Sequence, residues 1–257
     1  MASTNPIFSD FTPSEHWSGH QAASSERMSL SGVLHKTAIL LALFTASAAC
    51  SWIEVGLFQH RGKSTALVLV LVFLAISLGG FILVRITVSM KQRSPITAPI
   101  YALLQGSVVG ALSVGMDQRY PGIAIRAVGL TIAICFCLLG AYRFGLIKVT
   151  ESFNKKLAVA LSGVIIYYLV SFALAVTGGH TISMITGGML GILISMIIVV
   201  IAGMGLISNF DLAAQCSKER FPKYMEWYAA MGLLIALVWL YLETLDLLSK
   251  SRKAAGQ

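Results

Sequence analysis

The chain has 257 residues, 56% of them hydrophobic and 12% charged, with a mean hydropathy of +0.80. A soluble domain carries roughly 25% charged residues, so the polar coat of a soluble globule is missing. Nineteen Lys and Arg against 11 Asp and Glu give +8, but the basic residues fall in short clusters between long apolar runs, which excludes the basic stripe of a nucleic-acid binder. A bilayer core about 30 Å thick takes roughly 20 helical residues per crossing, so the class that fits is a multi-span membrane protein with room for seven crossings.

Residues 1–32 are polar and Ser-rich and include Asp10, Glu15, Glu26 and Arg27. They have no basic stretch leading into a short apolar core with a small-residue cleavage site, so the expectation is a mobile cytoplasmic tail with the first span as its own targeting signal. Apolar runs follow at Thr37–Val55, Thr65–Val84, Ile96–Met116, Pro121–Tyr142, Leu157–Val176, Met184–Phe210 and Trp227–Leu248. From Leu157 to Phe210 no Asp, Glu, Lys or Arg occurs, a stretch too long for one crossing, and Gly178-Gly179-His180-Thr181 supplies the turn that makes it two. Pro95 and Pro99 open the third span, Pro121 the fourth, and Pro222 precedes the seventh, with none expected in mid-span. The expected architecture is an all-α bundle of seven transmembrane helices over residues 33–249, ending in a short basic tail, 250–257.

Seven spans put twelve Lys and Arg on the amino-terminal side: Arg27, Lys36, Arg85, Lys91, Arg93, Arg143, Lys148, Lys155, Lys156, Lys218, Arg220 and Lys223. Seven fall opposite: Arg61, Lys63, Arg119, Arg126, Lys250, Arg252 and Lys253. The positive-inside rule places the amino terminus in the cytoplasm. A seventh segment that dipped in and returned would move the three terminal basic residues across, giving 15 against 4, so charge alone leaves a re-entrant last segment open. Gly106 with Gly110 and Gly187 with Gly191 form small-residue faces that let helices approach closely, read as packing inside the bundle. Cys50, Cys135 and Cys137 lie in apolar runs and read as packing residues; Cys216 lies near a basic loop.

A charge at mid-bilayer costs roughly 2.5 to 3.5 kcal/mol, so ionisable groups at or within the spans carry the functional information. Asp211 ends the sixth span and Glu226 begins the seventh, with Lys218-Glu219-Arg220-Phe221-Pro222-Lys223 between them. Folding that hairpin about residue 219 sets the two carboxylates at nearly the same depth on adjacent antiparallel helices. Two carboxylates brought together where water is scarce cannot both ionise cheaply and share a proton, which makes a pH-sensitive latch. Arg85, closing the second span on the same side, is a candidate latch partner, against the plainer reading that it snorkels to headgroups. Near the far face Glu243 and Asp246 share one side of the last helix, Arg126 lies in the fourth span, and Glu54 ends the first. A salt bridge from Arg126 to Glu243 or Asp246 is the expected arrangement there, with an ion-entry site as the alternative.

Other chemistries are set aside. His16, His20, His35, His60 and His180 are scattered, with no metal-ligand spacing inside a helix. The seventh span has no lysine for a retinal Schiff base. No nucleotide-binding loop occurs, and no nucleophile and base are brought together by helical spacing, so no enzyme and no cofactor are expected.

Several ordered motifs resemble the bacterial branch of the Bax inhibitor family, the transmembrane Bax-inhibitor-motif proteins. They are Asn5-Pro6-Ile7-Phe8, Pro95-Ile96-Thr97-Ala98-Pro99-Ile100-Tyr101-Ala102-Leu103-Leu104, Tyr120-Pro121-Gly122-Ile123, Asn209-Phe210-Asp211, Met225-Glu226-Trp227-Tyr228-Ala229-Ala230 and Leu237-Val238-Trp239-Leu240-Tyr241-Leu242-Glu243. The resemblance implies a seven-helix membrane fold and a pH-sensitive calcium leak, with Asp211 paired to a carboxylate of helix seven, Glu226 or Glu243, and a helix-two arginine, nearest to Arg85, in the latch; Lys91 and Arg93 compete for that role. The sequence departs from the family pattern at Asn209, where an aspartate is usual, at Gln105, where a glutamate is usual, and at Ala214, in place of another acid. Three lost negative groups weaken the pull on a divalent cation, which prefers several oxygen donors.

The expected function is therefore a passive, pH-sensitive calcium or other cation leak across a bacterial inner membrane, gated by Asp211 and Glu226, which also form a candidate weak calcium site. The alternative, favoured by the missing acids, is a non-conducting regulator that binds other membrane proteins and modulates stress response or turnover. The bilayer is the expected surrounding in both, with no nucleic acid and no nucleotide as partner.

Overall fold

The structure is a computed structural model and describes residues 27–58, 63–176 and 188–256. The expected mobile tail, the motif at Asn5, the turn at Gly178 and the Gly187 half of the second glycine pair lie outside the described residues.

Among those residues the chain forms seven long helices: α1 (Leu30–Phe58), α2 (Lys63–Ser89), α3 (Ser94–Arg119), α4 (Ile123–Arg143), α5 (Glu151–Val176), α6 (Gly188–Lys218) and α7 (Met225–Ala254). Each is long and apolar enough to cross a membrane. The helices outrun the apolar runs because apolarity marks only the part that meets hydrocarbon, whereas backbone hydrogen bonding continues into the polar ends. Thus α6 extends past Phe210 to Lys218 and α7 past Leu248 to Ala254. The last segment is one unbroken helix of 30 residues, about 45 Å long at 1.5 Å per residue, so it does not dip and return.

A single 3₁₀ turn, Lys91–Arg93, joins α2 to α3. Pro95 stands in the first turn of α3, but Pro99 lies inside the helix, contrary to the expectation that prolines stay at the margins. The helix begins earlier than the apolar run, and the ring at 99 leaves the carbonyl of Pro95 without its usual donor.

The chain divides into two compact units, one of residues 27–121 with 212–235 and the other of 122–211 with 236–256. In the first, α1 and α3 pack against each other over an extended contact. Gly106 and Gly110 lie against the backbones of Phe44 and Ala48, where a Cβ on either glycine would overlap a carbonyl oxygen. Both pairs are four residues apart, so one face of α3 is registered on one face of α1. Ser47 Oγ donates to Leu103 O at 2.6 Å within the same contact. The glycine pair therefore packs inside the bundle, as expected. Thr87 and Thr97 bind each other through their hydroxyls at 2.7 Å across the 3₁₀ turn. The strand of chain before α1 is fastened to the α6–α7 connection: Met28 N donates to Phe221 O at 2.7 Å, and Arg27 bridges to Pro222.

In the second unit, Leu138 fills the space over Gly203, and Tyr142 meets Phe210 edge to face, with centroids 5.6 Å apart. Ser208 Oγ donates to Asn154 Oδ1 at 2.9 Å, tying α6 to the start of α5. Small and branched residues fill the interior, among them Ala124, Ala127, Ala202 and Ile207, while Ile125, Phe136, Val159 and Phe172 stand exposed. Apolar side chains on the outside are what a bilayer solvates, and in water they would be a liability. Cys50 and Cys137 belong to this exposed set and Cys216 is buried; all three, with Cys135, are free thiols. The packing role expected of Cys50 and Cys137 is accordingly toward the exterior.

Candidate functional site

Glu226 is set by the way α7 begins. Met225, Glu226 and Trp227 donate their amides to the carbonyls of Pro222, Lys223 and Tyr224 at 3.0–3.1 Å, a tight first turn that places the carboxylate at the positive end of the helix dipole. The side chain is 4% exposed. Oε1 accepts from Ser29 N at 2.9 Å and from Ser29 Oγ at 3.2 Å; Oε2 accepts from the Lys36 ammonium. Ser29 Oγ in turn accepts from Gly32 N at 3.0 Å, so one hydroxyl caps α1 and binds the acid. A Cβ at Gly32 would fall on the Glu226 carboxylate, and the absence of one lets the group reach the helix start. Lys36 Nζ also lies 5.4 Å from the centre of the Trp227 ring, within cation–π range.

Asp211 accepts from the Tyr142 hydroxyl at 2.6 Å, a charge-assisted length. Asn209, two residues before it, spends its amide on its own helix, donating to Gly205 O at 2.9 Å.

A third acidic centre lies within α7. Glu243 is 4% exposed, and both of its donors, the Tyr168 hydroxyl and Trp239 Nε1 (2.8 Å), go to Oε1. Its Oε2 is buried without a hydrogen-bond partner. One turn along, Asp246 Oδ2 accepts from Ser195 Oγ at 3.0 Å and from Lys250 Nζ at 2.6 Å, while Lys250 also donates to Ser195 at 2.7 Å. Helices α5, α6 and α7 thus supply partners to two carboxylates, of which Asp246 is paired with a cation and Glu243 has one buried oxygen without a hydrogen bond.

Asp211 and Glu226 fall in different compact units, each with donors of its own. The cation that meets Glu226 is Lys36 of α1; Arg85 and Glu54 are exposed. Among the described residues ion pairs form at Lys36–Glu226, Glu151–Lys155 and Asp246–Lys250, so the bridge expected from Arg126 does not form. Arg126 is exposed, and Lys250 takes Asp246 because i,i+4 spacing on one helix brings the two together with no loop to close. Sequence reasoning missed Ser29, Lys36, Tyr142, Tyr168 and Ser195 as partners. The phenols carried a signal, since a tyrosine hydroxyl in an apolar span, away from water, calls for an acceptor. The Trp239 and Glu243 pair was legible from i,i+4 spacing alone.

Among the described residues no group of three or more His, Cys, Asp or Glu is arranged to hold a metal ion. A calcium cage of several carboxylates is thus not assembled from them.

A family model described as Bax inhibitor 1 like matches residues 5–253. No curated protein matches the chain, and no solved structure does.

Proposed function

The chain belongs to the Bax inhibitor 1 like family, and from that premise we propose that it is a passive, proton-sensitive leak for cations. The observation that carries this reading is Glu243, an acid buried within a membrane-length helix with one carboxylate oxygen left uncompensated. Ionisable groups in such positions are costly and mark ion or proton paths. Asp211, within α6, and Glu226, in the first turn of α7, are the gating acids: Asp211 accepts a hydrogen bond from Tyr142, and Glu226 accepts from Lys36 and Ser29. Loss of those bonds on protonation shifts the balance between closed and open bundles. The amino terminus lies in the cytoplasm, following the twelve-to-seven division of Lys and Arg, and the membrane is the bacterial inner membrane.

In liposomes containing the purified protein and a calcium-sensitive dye, flux is expected to differ between acidic and neutral pH. The difference should shrink in Asp211→Asn and Glu226→Gln. Flux that is absent, or whose pH dependence survives both substitutions, overturns the leak and leaves the non-conducting regulator as the reading.

A further inference from the structure

The ends of α1, α2, α3, α6 and α7 that belong to the first unit carry a dense basic collar. Arg27, Arg93, Lys218, Arg220 and Lys223 are exposed there, Lys91 is half-buried, and Glu219 is the one exposed acid among residues 27–29, 90–94 and 218–224. Three separate stretches of chain bring these residues together, and backbone bonds hold them: Met28 N to Phe221 O at 2.7 Å, Arg27 bridged to Pro222, and Ser94 Oγ to Tyr224 O at 2.9 Å. The collar is thus built on a fixed frame at the end of membrane-length helices, the depth at which headgroups lie.

Arg220 is held in an unusual way. Helix α6 ends with Phe221 N donating to Cys216 O and Arg220 N to Ser217 O, both at 3.2 Å, a Schellman closure whose left-handed seat is normally taken by glycine. Arg220 occupies it with φ of 59°, a conformation that costs an L-residue roughly 1 kcal/mol or more. Folding alone favours glycine at this position. The arginine instead adds a cation at the apex of the collar, beside Lys218 and Lys223.

We propose that this collar is a binding site for the headgroup of an anionic phospholipid, with the phosphate taken by Arg93, Lys218 and Arg220. The partner follows from charge complementarity at the membrane surface, where basic clusters between helix ends attract anionic lipid. Arginines provide the paired donors that suit phosphate oxygens. The bound lipid also tightens the fastening of residues 27–29 to the α6–α7 connection, and with it the Ser29 bond to Glu226.

The test uses the full chain purified in a neutral detergent, with native mass spectrometry counting retained phosphatidylglycerol against phosphatidylcholine. Phosphatidylglycerol should be retained preferentially. The triple variant R93Q/K218Q/R220Q should lose at least about tenfold in retention, given about fivefold per basic residue near the surface, while R143Q/K148Q/K156Q, which removes the same charge elsewhere, should not. Arg220→Gly separates the site from the fold: thermal stability should rise as strain is relieved while lipid retention falls. Equal loss in both triple variants, no preference for the anionic lipid, or stability and retention moving together in Arg220→Gly overturns the proposal. Displacement by inorganic phosphate at matched concentration would make the ligand a free anion and also overturn it. Amide exchange at Met28 and Ser29 should slow in bilayers containing phosphatidylglycerol; unchanged exchange removes the link to Glu226.

Discussion

Lys36 and Glu226, 190 residues apart in the chain, form an ion pair whose side chains are 15% and 4% exposed. Removing one member leaves the other's charge with poor solvation, at a cost of about 3 kcal/mol. Lys36→Met and Glu226→Gln are each expected to lower thermal stability in detergent, with Lys36→Met the more damaging because it strands a carboxylate. The double variant should recover part of the loss. Additive losses in that cycle would show that the two groups do not depend on one another.

The contact between α1 and α3 yields a sharper contrast. Gly106→Ala or Gly110→Ala places a Cβ on a carbonyl oxygen of α1, so the helices must separate, an overpacking cost of about 2 kcal/mol or more. Gly129→Ala in α4, where nothing lies within 4 Å of the new Cβ, should instead be neutral or stabilising by up to about 1 kcal/mol. Melting temperatures of the three variants, read by size-exclusion fluorescence, check the order.

Glu243 gives a third test. Tyr168→Phe removes one of its two donors and should cost about 1 to 2 kcal/mol. Glu243→Leu leaves the tyrosine hydroxyl and the indole N–H both unpaired, away from water, and should cost more. A variant pair of equal stability would show that these donors find other acceptors.

Tyr142→Phe deletes the 2.6 Å bond to Asp211. Because the acceptor is charged, the loss in stability should be about 1.5 to 3 kcal/mol, and in Asp211→Asn the same tyrosine change should cost less. If flux through the reconstituted protein depends on this bond, its pH profile should flatten in Tyr142→Phe without loss of expression.

The number, order and type of the helices were legible in the chain because hydrophobic runs of bilayer length admit one reading, and the spacing of Gly106 and Gly110 showed which face of α3 is thin. The partners of the acids were less so. Lys36 looked like one more cation of the amino-terminal side, since nothing in a linear sequence says that the start of the first helix touches the start of the last. Arg126 was expected to find an acid on α7, but Lys250 was closer along the same helix, and local spacing prevailed over a contact between elements. Pro99 entered α3 because the helix started ahead of its apolar portion. Intrahelical pairs were thus within reach of sequence periodicity, whereas pairs between helices required the packing.

The carbonyl-to-glycine seating of α3 on α1 leaves no cushion of side chains between them. A pair joined in that way has little slack with which to absorb a tilt, and the register that sets Gly106 on Phe44 and Gly110 on Ala48 brings the proline-bearing end of α3 level with the turn of α1 that carries Lys36. Conformational coupling in this half of the protein is therefore a matter of stiff levers, and its compliance is to be sought in the connections between them.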